Sequence, residues 1–155
     1  MSGVKLYIED EAAMTRLGQA LAVQRAGHGV LFLEGDLGAG KTTLSRGILR
    51  GLGHTGAVKS PTFTLVEPYE IGELRGWHFD LYRLSDPEEL EYLGIRDYFA
   101  DDVLCLIEWP QQGQGYLPQP DLQITIKAHN PGRIVRLLPF STRGESWCVA
   151  LATLT

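Results

Sequence analysis

Features that define several common protein classes are scarce in this sequence. It has only two cysteines, Cys105 and Cys148, and their number and wide spacing argue against a disulfide framework or a zinc site. No apolar run approaches the roughly 18 residues that span a bilayer. Residues 1–5 lack the basic and apolar blocks of a signal peptide. We therefore expect a cytoplasmic protein with two buried thiols and no membrane contact.

Positive charge is also limited. The 155 residues include 14 Lys and Arg but 19 Asp and Glu, which gives a net charge of −5. A chain that holds nucleic acid through many phosphate contacts carries more cations than this. If the protein serves an RNA pathway, we expect another subunit to hold the RNA.

A complete phosphate-loop motif, G-x-x-x-x-G-K-[ST], occupies residues 35–42. Gly38 and Gly40 relax the steric limits on φ, so that consecutive backbone N–H groups can turn toward phosphate oxygens. Lys41 adds a compact cation, and Thr42 offers a hydroxyl to Mg²⁺. The helix that begins here directs its positive N-terminal end at the anion. The motif therefore predicts a site for a nucleoside triphosphate.

The residues around this loop predict the order strand, loop, helix. Val30–Leu33 is a short apolar run typical of a buried parallel strand, and residues 43–49 have helical spacing. We expect an α/β fold: a single P-loop NTPase-like domain over residues 1–155, with a mainly parallel central sheet, flanking helices and antiparallel additions. Further strands are predicted at 5–8, 103–107, 121–128 and 133–138. Residues 62–83 are predicted to form a hairpin that begins with an extended segment at 62–66 and has its turn flanked by Gly72 and Gly76. We also expect a helix capped by Asp10 or Glu9, a short helix capped by Ser85, and an apolar segment from Trp147 that packs on the sheet.

Two carboxylates are candidates to complete the site. Glu108 directly follows the apolar run 103–107, so it emerges at a strand's carboxyl end, where ligands sit in open α/β sheets. It would hold Mg²⁺, or it is an ordinary solvated strand-end acid. Asp80 shares one face of an extended segment with His78 and Tyr82. Asp80 would orient water or contact Mg²⁺ through water, or it is an ordinary acid that is paired locally with Arg83 or solvated at the strand end.

Four further side chains are candidates, each with an ordinary structural alternative. Thr62 and Thr64 lie after the loop helix, where nucleotide switches place γ-phosphate sensors, but β-branched residues also simply enter strands. Trp109 follows Glu108 and lies near the nucleotide or in a core or interface. Arg133 stacks on a purine or is a surface residue after Pro-Gly.

Absent motifs indicate which nucleotide binds. A guanine-specific site normally adds N-K-x-D and D-x-x-G segments. The only Asn is Asn130, which precedes Pro, and no Asp has Gly three residues later. We therefore expect ATP.

The phosphate loop and the segments that follow it resemble those of the TsaE family, formerly called YjeE. Its members are small bacterial P-loop ATPases of a tRNA-modification pathway. The resemblance covers nearly the whole chain. It is carried by GDLGAGKTT at 35–43, SPTFTLVEPY at 60–69, HFDLYRL at 78–84, DPEELEYLGIRDYF at 86–99 and IEWPQQG at 107–113. The phosphate loop is common to a vast superfamily, whereas SPTFTLVEPY, HFDLYRL and IEWP in that order are specific. The segment after Ala128 is less recognisable.

The resemblance implies a function and a division of labour. The family supports formation of threonylcarbamoyl-adenosine at position 37 of tRNAs that read codons beginning with adenine. The ATPase docks on a TsaB–TsaD heterodimer, TsaD performs the transfer, and tRNA contact is therefore only indirect. Implied site residues are the loop Gly38, Ala39, Gly40, Lys41, Thr42 and Thr43, Mg²⁺ ligands Thr42 and Glu108, a required Asp80 near the γ-phosphate, and Asp10 and Arg133 near the adenosine.

The residues themselves leave two other functions open. A small-molecule kinase uses the same loop, but it usually adds an arginine-bearing lid, and no segment here groups Arg46, Arg50 and Arg143 in that way. A nucleotide-gated adaptor would bind ATP and a protein partner without meaningful hydrolysis.

Overall fold

The computed structural model describes residues 3–23, 28–36, 38–58, 61, 64–100 and 102–152. Its strands are β1 (Val4–Ile8), β2 (Gly29–Gly35), β3 (Val66–Ile71), β4 (Leu74–Asp80), β5 (Val103–Glu108), β6 (Leu122–His129) and β7 (Gly132–Pro139). Its α-helices are α1 (Glu11–Val23), α2 (Lys41–Gly51), α3 (Glu89–Tyr92) and α4 (Thr142–Ala152). Single 3₁₀ turns cover Ile95–Tyr98 and Pro110–Gly113.

All seven strands join one sheet in the order β1-β7-β6-β2-β5-β4-β3. The four central strands, β6, β2, β5 and β4, run parallel to one another, while β7 with β1 on one side and β3 on the other add antiparallel edges. This arrangement confirms the α/β fold with a parallel centre and antiparallel additions. The carboxyl ends of β2, β4 and β5 meet at one edge, which is where open α/β sheets bind ligands.

The two faces of the sheet bury different clusters. One cluster joins α1, α2 and α4 to residues such as Leu33, Leu106 and Ile124. The other packs residues 84–99 against Phe79 and Ile107. All six residues of β5 are buried, as expected for a central strand covered on both sides. Cys105 and Cys148 are buried free thiols, as predicted, and burial raises the pKa of Cys105 to about 12.

Helices α1 and α2 cross at very close range because glycines face each other. A Cβ atom added to Gly18 would lie 2.6 Å from the carbonyl oxygen of Leu44, and one added to Gly47 would lie 2.6 Å from that of Thr15. Both contacts are with backbone, so no side-chain rotation relieves them. This crossing fixes the helix that carries the phosphate loop against the helix that begins after Asp10.

Four local predictions need correction. The turn of the hairpin is at Gly72, whereas Gly76 lies inside β4. The strand predicted from residue 62 begins only at Val66, since Leu65 has a left-handed φ of 73° and Thr64 is in a turn. Asp86 rather than Ser85 makes the side-chain contact before α3, where its Oδ1 accepts a 3.0 Å bond from the Glu88 N–H. The helix itself begins only at Glu89, three residues later than the Ser85 cap predicts.

Two further predictions concern the packing of the C-terminal apolar segment and the absence of a membrane-spanning segment. Trp147 is fully buried on α4, which contacts β6 and β7, so the segment does pack on the sheet. Within the described part of the chain, every helix is too short or too polar to traverse a bilayer.

Candidate functional site

The phosphate loop turns from β2 into α2 through two glycines with left-handed backbone. Gly38 has φ 79° with open space around its Cα, and Gly40 has φ 114°. The N–H of Ala39 donates to the Asp36 carbonyl (3.0 Å), which closes the turn, and α2 begins at Lys41. Among the described residues no side chain caps this helix end, which leaves its first N–H groups available to an anion, as in a nest.

Lys41 is buried at the mouth of this loop. Its Nζ donates to the carbonyls of Gly35 (2.6 Å) and Asp36 (2.9 Å), and it lies 4.5 Å from the ring centroid of Trp109. Burial lowers the pKa of Lys41, and the nearby carboxylates Glu108, Asp80 and Asp36 partly oppose that shift. The loop therefore holds a concentrated positive charge beside the glycine turn.

Glu108 ends β5 beside the loop. The register of β2 against β5 sets Glu108 opposite Leu33, two residues before Gly35. Its side chain is almost fully buried, and Thr42 Oγ1 lies 3.3 Å from one carboxylate oxygen and 3.4 Å from the other. The structure thus brings together the hydroxyl and the carboxylate that the sequence analysis selected as Mg²⁺ ligands.

Asp80 lies on the neighbouring strand, directly opposite Glu108 in the register of β4 and β5. It is 6% exposed, and its Oδ1 accepts a 3.0 Å bond from the Tyr82 N–H. That backbone bond holds the carboxylate toward the sheet edge and toward Lys41.

His78 is a site residue to which the sequence analysis gave no role. Its Nε2 lies 2.5 Å from Glu108 Oε2, and the ring is fully buried. The alternation of β4 put His78 on the face of Asp80, but only the pairing of β4 with β5 shows that it meets Glu108.

Lys41, Thr42, Asp80 and Glu108 line a cleft with a volume of about 220 Å³. Oxygen ligands, a lysine and backbone N–H donors in one cleft suit a triphosphate with a hard cation. Among the described residues, no three His, Cys, Asp or Glu side chains converge as a metal site. The lining residues are Gly38, Gly40, Lys41, Thr42, Thr43, Asp80, Glu108 and Trp109.

A second cavity of about 300 Å³ adjoins the same loop. It brings together Asp10 and Arg133, the residues implied for the adenosine, because β1 pairs with β7 so that Ile8 lies opposite Arg133. Arg133 Nε donates to the Ala39 carbonyl (3.3 Å), and Asp10 Oδ1 caps α1 by accepting from the Ala13 N–H (2.8 Å). The lining residues are Ile8, Glu9, Asp10, Glu11, Met14, Gly38, Ala39, Gly40, Thr43, Pro131, Gly132 and Arg133. Sequence reasoning missed Met14, Pro131 and Gly132, which carry no motif.

The three remaining candidates are Trp109, Thr64 and Thr62, and they differ in their position relative to the cleft. Trp109 packs beside Lys41 and 4.9 Å from the Tyr82 ring, so it lies at the cleft. Thr64 is exposed, bonds Glu67 Oε1 (2.9 Å) and lines neither cavity, so the structure does not bring it to the site. Thr62 lies outside the described residues.

Comparison with known proteins identifies the family of this chain. A family model described as threonylcarbamoyl adenosine biosynthesis protein TsaE matches residues 8–135, which include both cavities. The chain belongs to the TsaE family. This TsaE-family chain is 48% identical to the tRNA threonylcarbamoyladenosine biosynthesis protein TsaE of Haemophilus influenzae over 151 residues, covering 94% of this chain and 96% of that protein. It is 43% identical to the protein of the same name from Bacillus subtilis over 145 residues, covering 93% and 89%.

A solved structure shows a similar fold. The crystal structure of YdiB from Bacillus subtilis superposes with a TM-score of 0.84 at 34% identity, covering 99% of this chain and 96% of that one. The likeness therefore extends over the antiparallel edges and α4 as well as the phosphate loop. It confirms the family assignment and the P-loop NTPase-like fold.

Proposed function

We propose that this TsaE-family chain is an ATP-binding and ATP-hydrolysing accessory subunit for forming threonylcarbamoyl-adenosine at position 37 of tRNAs that read codons beginning with adenine. It acts in the cytoplasm with TsaB and TsaD. The observation that carries the ATPase proposal is the convergence of Lys41, Thr42, Asp80 and Glu108 on one cleft at the phosphate loop. The tRNA role is supported by relatives named for that pathway.

Each side chain has a role that follows from its position. Lys41 and the N–H groups of the loop would bind phosphate oxygens, and Thr42 and Glu108, which lie 3.3 Å apart, would hold Mg²⁺. Bound Mg²⁺ neutralises negative charge on the phosphates. Asp80, fixed by the Tyr82 N–H, orients the attacking water.

The adjoining cavity takes the nucleoside. Arg133 offers a planar guanidinium for stacking on the purine, and its bond to the Ala39 carbonyl holds it beside the loop. Asp10 lines the same cavity from the start of α1. These residues would hold a nucleotide across the loop, with Lys41 binding its phosphates and Arg133 its adenosine.

Single-turnover hydrolysis of ATP tests the role of Asp80. We expect Asp80→Ala to slow hydrolysis by about 100-fold or more, the usual scale for losing a positioned acid–base group, with and without the TsaB–TsaD heterodimer. Asp97 is an exposed carboxylate that lines neither cavity, so Asp97→Asn is the control and should hydrolyse ATP at the wild-type rate. Equal rates for Asp80→Ala and wild type would refute the assigned role.

Reconstituted tRNA modification tests the cellular role and separates the alternatives. Omitting the chain should stop repeated rounds of modification, and adding wild type but not Lys41→Ala should restore them. A non-hydrolysable ATP analogue that supports many turnovers would instead establish a nucleotide-gated adaptor. A phosphorylated small molecule formed at stoichiometric ATP cost would establish a kinase.

A further inference from the structure

We propose that His78 is a positioning residue that aims the Glu108 carboxylate at Thr42, and thereby sets the strength of the Mg²⁺ site. This inference rests on the proposed function of the same cleft. His78 itself does not line the cleft, so it acts only through Glu108.

The strand register explains how His78 reaches Glu108. In the parallel pair β4 and β5, Asp80 is opposite Glu108. His78 is two residues before Asp80, opposite Leu106, and its side chain is on the same face of the sheet as that of Asp80. The imidazole therefore extends along the sheet to the carboxylate at the strand end, where Nε2 and Oε2 are 2.5 Å apart. Because an ionised carboxylate only accepts hydrogen bonds, Nε2 carries the hydrogen and donates.

The hydrogen bonding of His78 is one-sided. Its Nδ1 is buried and has no partner in the part of the chain that the structure describes. An imidazole kept only to fill the core gains nothing from such an atom, since an apolar side chain of similar size would avoid burying it unpaired. The stabilising contact of the ring is thus the single bond to Glu108.

Glu108 needs this restraint because the Lys41 ammonium and the Thr42 hydroxyl compete for its carboxylate. The Lys41 ammonium lies near Glu108. Burial lowers the pKa of Lys41, and the Glu108 carboxylate is the largest of the charges that oppose this lowering. A carboxylate free to turn toward Lys41 would pair with it and leave Thr42, whose hydroxyl lies 3.3 and 3.4 Å from the two carboxylate oxygens. His78 fixes Oε2 from below, so the carboxylate stays directed at Thr42 while Lys41 stays available for phosphate.

Two substitutions at His78 separate positioning from packing. In His78→Gln the side-chain amide places an N–H donor near the position of Nε2, whereas in His78→Asn the donor is too short to reach Glu108. We measure binding of Mn²⁺ to the ADP complex by electron paramagnetic resonance, and binding of ADP in excess chelator by calorimetry. We expect His78→Asn to weaken Mn²⁺ binding by roughly tenfold or more, as for other outer-shell partners of metal ligands, and His78→Gln to stay within about threefold of wild type.

Metal-free ADP binding should be the same in all three chains, which shows that the cleft is folded. Equal Mn²⁺ affinity in the Asn and Gln variants would overturn the positioning role. A wild-type chain that binds no Mn²⁺ with ADP would overturn the proposed Mg²⁺ site instead.

A metal-free measurement tests the bond itself. Nitrogen-15 NMR of the wild-type side chain should show the Nε2–H tautomer for His78, and Glu108→Gln should shift that resonance. An Nδ1–H tautomer would overturn the inference whatever the metal result. This measurement depends on the wild-type chain, so it decides even where a His78 variant fails to fold.

Discussion

Gly40 and Gly72 share a positive φ but differ in their surroundings. Gly40 (φ 114°) lines both cavities, and a Cβ there would lie 3.2 Å from Met14 Cε. Gly72 (φ 61°) is in the hairpin turn with open space around it. The two positions therefore separate the cost of a strained backbone from the loss of a binding loop.

We expect Gly40→Ala and Gly72→Ala each to lower the free energy of unfolding by about 1–2 kcal/mol, because alanine is disfavoured at positive φ. Only Gly40→Ala should weaken ATP binding, by roughly tenfold or more, since relaxing φ turns the N–H groups of the loop away from the phosphate. Urea unfolding and calorimetric titration check the two effects. Wild-type affinity in Gly40→Ala would show that the loop does not form the phosphate nest.

Single residues also show what the sequence could and could not reveal about the site. The motif at 35–42 and the position of Glu108 after an apolar run each depend on near neighbours in sequence, so Lys41, Thr42 and Glu108 were selected without a structure. The contact of His78 with Glu108 joins residues 30 apart and depends on which strands pair. The left-handed φ of Leu65 is likewise imposed by tertiary contacts, since its carbonyl accepts from the Asp80 N–H (3.0 Å).

At the scale of elements, the sequence predicts the individual strands β1, β6 and β7 but not where each lies in the sheet. Predicted segments for β1, β6 and β7 were close to those observed, because alternation and turn residues mark strands locally. Their order was not predictable, since it depends on long-range pairing. The order β1-β7-β6-β2 is what sets Arg133 opposite Ile8 and beside the loop.

The crossing of α1 and α2 gives a prediction at this scale. Alanine is a better helix former than glycine by about 1 kcal/mol, so propensity alone favours Gly47→Ala. The added Cβ would lie 2.6 Å from the Thr15 carbonyl and force the helix backbones apart. We expect a net loss of about 1–3 kcal/mol in the free energy of unfolding, measured in urea.

Arg46→Ala is the matched control on α2. Arg46 is exposed and adjacent in sequence, so its substitution should change stability by no more than about 0.5 kcal/mol. A Gly47→Ala chain at least as stable as wild type would mean that the helices tolerate separation. It would remove the argument that this crossing fixes the loop.

At the scale of the whole molecule, charge is unevenly distributed. The chain has a net charge of −5, yet three exposed cations, Lys5, Lys127 and Arg136, share the sheet face opposite α1. Lys5 is directly opposite Arg136 in the β1–β7 register, and Lys127 is opposite Ile134 on the same face. These three side chains form one local cationic patch on an acidic chain.

Three cations on an acidic chain release few counterions, so we expect the isolated protein to bind tRNA more weakly than about 10 μM at 150 mM salt. Fluorescence anisotropy with labelled tRNA measures this affinity, and addition of the TsaB–TsaD heterodimer should strengthen retention of the RNA. Submicromolar binding by the chain alone, steeply dependent on salt and abolished by Arg136→Glu but not by the control Arg46→Glu, would contradict indirect contact. In that case the sheet face of Lys5, Lys127 and Arg136 would itself hold the RNA, and the division of labour proposed for the heterodimer would have to be revised.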